Sequence, residues 1–255
     1  MFGMMIHYTI LKICGTLRHG TDQMTRGILI AGNESSLSAA ISAEAAKRVE
    51  HFASALIPNR LSEHAAGIAG SCGSLADDSL PEGAAIPLQW NPGSPIAART
   101  LILAAENRLE HIDEAILVCA PPAIRRRPAE ISPADIEIMV NDHIKGWFFL
   151  ARELAQVFRK RKSGTLALAL SDMGAGGKDD PVDLLGPSAA ASFRAFAQSI
   201  LSAAFDEPYL TMGFSSSEIG EESAFAAFVL KLIDEGNKRN NGKWHKFGRL
   251  NLFNR

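Results

Sequence analysis

Tyrosine is the scarcest proton-carrying side chain in this sequence of 255 residues, which contains only Tyr8 and Tyr209. A reaction that depends on a tyrosine proton has no other positions to use. Cysteine is nearly as rare, at three residues. Cys14, Cys72 and Cys119 show no C-x-x-C or metal-ligand spacing, so neither a disulfide framework nor a metal site is expected, and a reducing, cytoplasmic setting is. Charge of one sign is also missing. A net charge of -2 gives no electrostatic case for nucleic acid or an anionic membrane as partner. No apolar run approaches the roughly 18 residues that a membrane span needs.

Local exceptions to these absences have plain readings. The basic runs "AIRRRPAE" and "VFRKRKSG" read as solvated surface, the second at a helix end where cations complement the dipole. The opening "MFGMMIHYTILKICGTLRHG" is interrupted by His7 and Lys12 and lacks a small-residue cleavage pattern. It reads as an extension packed on the domain, over residues 1–26, with one domain over 27–255.

What is present is an ordinary globular composition, 47% hydrophobic and 21% charged, in a repeating order of elements. Short apolar runs, "GILIAG", "AAIPLQW", "AILVCAP" and "GTLALALS", alternate with helical patterns over 35–51, 93–110, 132–161 and 186–205. That alternation predicts an α/β fold, a doubly wound parallel sheet with helices on both faces. Ser132 and Pro133 make a helix entrance, as do Gly186 and Pro187. The stretch "HFASALIPNRL" reads either as a second strand or as the continuation of the preceding helix, and Pro58 ends it in either case. The small, polar residues 63–83 read as a long surface connection.

Across 27–205 these landmarks resemble the short-chain dehydrogenase/reductase family, single-domain Rossmann-fold oxidoreductases that use NAD(P). "ILIAGNESSLSAAI" is similar to the glycine-rich first turn, "HIDEAILVCAP" to the strand that ends in NNAG, and "DHIKGWFFLARELA" to the long interface helix. "GTLALALSDMG" is similar to the strand that ends at the catalytic serine, and "GPSAAASFRAFAQSILSAAF" to the helix that opens with Y-x-x-x-K.

The resemblance implies a tyrosine general acid/base and a lysine one helical turn later. Those positions are Gly186 and Ala190 here, and neither side chain moves a proton. Tyr209 has Gly213 four residues on, and "YTILK" (Tyr8, Lys12) precedes the first strand in a β-branched stretch. Ser171 stands at the serine position and reads equally as a strand end. His143 replaces the family's asparagine, as a candidate proton carrier or a hydrogen-bonded interior histidine. Asp172 and Lys178 are further candidates, and the glycines of "SDMGAGGKDDPVD" would let that loop move over a substrate. A hydrolase triad of Ser171, His143 and Asp172 lacks the G-x-S-x-G elbow.

For the cofactor, the implied positions are Gly32, Asn33, Ser36 and Ser38 in the first turn, Arg60 after the second strand, Asn91 (or Trp90) after the third, and Cys119 and Ala120 after the fourth. Gly32 keeps the tight turn, but Ser36 and Ser38 add side chains where the family has glycine, and Glu34 brings a carboxylate beside the phosphate position. Asn33, Ser35 and Ser36 read equally as helix caps. Pro121 and Pro122 remove two donors from the NNAG turn. Arg60 would suit a 2′-phosphate or an exposed loop. The expectation is a family-like protein without oxidoreductase activity and without a bound cofactor, in a binding or assembly role. The alternative is an NAD(P)-dependent oxidoreductase with a non-tyrosine proton donor. The partner implied is a second copy, in a homodimer or homotetramer, through the helices over 132–161 and 188–205, with Phe247, Leu250, Leu252 and Phe253 packed into the contact.

Overall fold

A computed structural model describes residues 26–58, 60–61, 83–172, 183–218 and 220–248. The expected N-terminal extension, most of the connection over 63–83, the loop after Asp172 with Lys178, the Tyr8–Lys12 pair and the tail residues Leu250, Leu252 and Phe253 lie outside the described residues.

The strands are β1 (Ile28–Asn33), β2 (His51–Ile57), β3 (Ala84–Pro87), β4 (Glu114–Cys119), β5 (Thr165–Ser171), β6 (Leu210–Ser216) and β7 (Lys243–Phe247). They form one parallel sheet in the order β3-β2-β1-β4-β5-β6-β7. The α-helices are α1 (Ser36–Ala45), α2 (Pro95–Leu109), α3 (Pro133–Val140), α4 (Gly146–Arg161), α5 (Leu185–Ala203) and α6 (Glu222–Asp234). The stretch "HFASALI" is therefore a strand, and the preceding helix ends at Ala45. The helix expected over 35–51 overran because "AKRVE" continues its composition through the turn.

Strand alternation divides the core. Leu29, Ala31, Ala115, Leu117, Leu166, Leu168 and Leu170 face α2, α4 and α5. Their neighbours Ile28, Ile30, Ile116, Val118, Ala167 and Ala169 face α1 and α6. Two covered faces are why these strands read as continuous apolar runs. Each buried Leu, Ile or Phe of this kind contributes about 1.5–3 kcal/mol.

The chain winds outward from β1 to β3 and then returns to β4, so the strand order reverses between β1 and β4. In open α/β sheets ligands bind outside the carboxyl ends of the strands at such a reversal. The amino ends are tied elsewhere, by Arg26 to Glu114 and Asp234 and by Arg48 to Asp234 and Glu44.

Candidate functional site

At the carboxyl end of β1 the backbone comes close to β4. A Cβ on Gly32 would lie 2.3 Å from the Val118 carbonyl oxygen, so glycine is needed there to let the two strands pair. The next residue, Asn33, is 3% exposed and joins the two strand ends directly. Its Nδ2 donates to the Ala120 carbonyl at 2.6 Å and its Oδ1 accepts from the Ala120 amide at 3.1 Å. Both backbone groups of the NNAG-like turn at Ala120 are thus bound across the reversal. Cys119, below it, is fully buried, and burial pushes its thiol pKa far up. A thiol in that state packs as a small apolar group.

The mouth of α1 caps itself. Ser35 Oγ accepts from the Ser38 amide at 3.1 Å and Ser38 Oγ accepts from the Ser35 amide at 2.9 Å. This reciprocal capping box satisfies amides that a phosphate would otherwise receive. The Glu34 amide donates to the Ile57 carbonyl, and Ser36, exposed, donates from Oγ to Glu222 of α6. Asn91 closes its own turn, accepting from the Gly93 amide at 3.0 Å ahead of the Ser94 cap of α2. Trp90 lies tilted against Trp147, ring centroids 6.3 Å apart, and Trp147 meets Phe193 edge-on at 5.3 Å.

The segment after β2 crosses the reversal. Arg60 donates through Nε and Nη2 to both carboxylate oxygens of Asp142, beyond α3. Arg60 is therefore ion-paired within this chain, and its side chain is 43% exposed. Leu61 is buried in one cluster with Ile124 after β4, Met139 of α3 and Ala189 of α5. These two contacts tie the segment after β2 to residues beyond β4, on the far side of β1 in the sheet.

Asn141–Lys145 is a π-helical turn between α3 and α4, with the Gly146 amide bonded to the Asn141 carbonyl. Trp147 Nε1 donates to the His143 carbonyl at 2.9 Å, satisfying an oxygen within that turn. His143 is 3% exposed, and its Nδ1 has no hydrogen-bond partner. Burial, with the nearby Arg60 charge, pushes its pKa down to about 4. The ring is neutral near pH 7. Asp142, beside it, is pushed up by burial against the pull of Arg60.

At the tyrosine position a side chain would have to displace Asp183. A Cβ on Gly186 would lie 2.4 Å from Asp183 Oδ2 and 3.1 Å from the Pro122 carbonyl oxygen. Asp183 Oδ1 accepts from the Leu185 and Gly186 amides and so caps α5. Ala190 packs against the main core. Ser171 ends β5 and is half-buried, while the adjacent Asp172 is ion-paired to Arg194. Tyr209 is buried against Phe158 at 5.4 Å, and burial pushes its pKa up. It has no part in this crevice.

Three arginines of the basic runs are ion-paired within the chain. Arg126 pairs with Asp135, Arg159 with Glu207, and Arg161 with Asp113. Phe247 packs on Phe225 and Phe228 of α6 at 5.5 and 5.6 Å. Among the described residues no group of three metal-ligating side chains occurs, and no helix is long and apolar enough to cross a membrane.

Asp142, Leu61 and Asp183 were not foreseen from the sequence. The available signal for Asp142 was a lone acid among apolar residues of a helical pattern.

No protein-family profile matches the sequence, and no curated protein is similar to it. Solved structures do match. A short chain dehydrogenase from Mycobacterium smegmatis superposes with a TM-score of 0.67 over 89% of this chain and 93% of its own, at 12% identity. Levodione reductase gives 0.65 over 87% and 95%, also at 12% identity. The chain has the single-domain Rossmann-like fold of the short-chain dehydrogenases/reductases.

Proposed function

We propose that this protein is a short-chain-dehydrogenase-like chain without oxidoreductase activity, which binds no nicotinamide cofactor and serves a binding or assembly role. The observation that carries the reading is the tie between the segment after β2 and residues beyond β4, Arg60 bound to Asp142 and Leu61 buried with Ile124, Met139 and Ala189. This supports a crevice that the chain closes against a dinucleotide. The missing tyrosine supports the same reading: Gly186 has no side chain, and Asp183 stands where one would start. His143 is too deeply buried to exchange protons with a substrate in this arrangement.

The assembly partner we propose is a second copy, in a homodimer or homotetramer, through α3, α4 and α5. Phe148 of α4 is 52% exposed beside Phe196 of α5, with ring centroids 4.6 Å apart. The neighbouring exposed positions on α5 are small: Ser188, Ala191, Ala195 and Ser199. Small residues let another helix pair approach closely.

The test is titration with NADH and NADPH, read by energy transfer from the protein's tryptophans to the nicotinamide. No saturable signal at micromolar to millimolar cofactor is expected. Saturable micromolar binding, with turnover of a carbonyl substrate, would establish instead an NAD(P)-dependent oxidoreductase with another proton donor.

A further inference from the structure

The outer stripe of α2 carries residues that the sheet does not use. Ile96 is 77% and Leu103 52% exposed, and with Arg99 and Glu106 they recur at intervals of three and four on one side of the helix. Between α2 and α4 runs a groove of about 410 Å³ lined by Arg99, Ile102, Leu103, Glu106, Val157 and Lys160, among others. Two charges in that groove are satisfied within the chain, Glu153 by Arg152 and Arg161 by Asp113. Among the described residues Arg99, Glu106 and Lys160 have no ion-pair partner.

The order of the free charges on α2 is informative. Arg99 lies toward the amino end and Glu106 toward the carboxyl end, the reverse of what the helix's own dipole favours. No partner on the same helix compensates them, because a spacing of seven is too long for a direct pair. An antiparallel copy of the same helix compensates both.

We propose that α2 docks against α2 of a second copy about a two-fold axis passing near Leu103. The two-fold reverses the helix, so Arg99 of each copy faces Glu106 of the other, with Leu103 meeting its equivalent between the two pairs. Such a patch is self-complementary, as an isologous contact requires. A parallel pairing would set Arg99 against Arg99 and Glu106 against Glu106. The contact is distinct from the one proposed through α3 to α5.

Light scattering on the full chain tests it with Arg99→Glu, Glu106→Arg and the double exchange. Each single variant is expected to lose one step of assembly, tetramer to dimer or dimer to monomer, with an unchanged melting temperature, and the double variant to regain the parent mass. Leu103→Cys under mild oxidation is expected to give a covalent dimer on a non-reducing gel. A monomeric parent, a single variant with the parent mass, a double variant that does not recover, or a Leu103→Cys protein that fails to cross-link overturns the proposal. Phe148→Arg addresses the other contact alone. A parent that dissociates with Phe148→Arg but not with Arg99→Glu refutes the α2 contact and leaves association through α3 to α5 standing.

Discussion

Arg60 and Asp142, 82 residues apart in the chain, share a two-pronged ion pair that holds the segment after β2 against the π-helical turn. The two ends of the pair are unequal, because the Asp142 side chain is 3% exposed and that of Arg60 43%. Removing the arginine leaves a buried carboxylate, whereas neutralising the aspartate leaves an arginine that water can reach. Arg60→Ala is therefore expected to cost about 3 kcal/mol and Asp142→Asn less than half of that. Urea denaturation checks the order. Equal costs would show that the pair is solvated as a whole.

The same region sets a pH dependence. His143 has a folded pKa near 4 against about 6.5 in an unfolded chain. Above pH 6.5 both states are neutral and its contribution is constant. As pH falls from 6.5 to 4 the unfolded chain takes up a proton that the folded one refuses, so stability falls across that window by roughly 3 kcal/mol. Asp142 works in the opposite sense at the acid end, since its raised pKa lets the folded state take up a proton first. Comparing His143→Gln with the parent by denaturation at pH 7, 5.5 and 4.5 isolates the histidine. The variant is expected to lack the extra loss, and parallel curves would refute the buried, neutral histidine.

Across the strand reversal, Asn33 holds the Ala120 backbone with one donor and one acceptor. Asn33→Ala leaves a buried amide and carbonyl without partners, a loss of about 1–3 kcal/mol each at most, which lowers the melting temperature by about 2–4 °C for each kcal/mol in a chain of this size. Asn33→Asp is expected to be worse, because a carboxylate accepts from the Ala120 amide but repels its carbonyl. Calorimetry gives both values, and an Asn33→Asp protein as stable as the parent would show that the donor bond is dispensable.

How much of this was legible beforehand depends on the range of the interaction. Strands β1, β4 and β5 are apolar on both faces and announce themselves in the sequence, as does Ser132, whose Oγ accepts from the Asp135 amide. The self-capping of α1 was likewise readable as Ser35 and its neighbours, because a cap spans only three residues. Strand β6, "LTMGFSS", was not among the strands read from the sequence, because buried Thr211, Ser215 and Ser216 interrupt its apolar run. Nor did Phe247 reveal that α6 would be its partner. Arg60 looked like a phosphate ligand or a loop residue because its acceptor is 82 positions away. Gly186 announced the loss of the tyrosine, but not that Asp183 had taken its space.

The occupied tyrosine position yields the sharpest prediction about chemistry. Restoring the letters of the lost site, with Gly186→Tyr and Ala190→Lys together with glycine at Ser36 and Ser38, returns the family's residues without its space. The new Cβ at position 186 would sit 2.4 Å from Asp183 Oδ2, so Asp183 must shift, which is expected to weaken the cap that its Oδ1 gives to the Leu185 and Gly186 amides. Loss of a helix cap of this kind costs about 1–2 kcal/mol, and glycines in the first turn of α1 add to the loss by removing the Ser35–Ser38 box. The restored protein is therefore expected to melt lower than the parent and still show neither NADPH binding nor carbonyl reduction, because the segment after β2 remains tied to Asp142 through Arg60 and packed on Ile124, Met139 and Ala189 through Leu61. Gly186→Ala alone should already lower the melting temperature. Reductase activity in the restored protein, measured by NADPH oxidation, would mean that the segment after β2 yields to the cofactor and that the site was lost through its side chains alone.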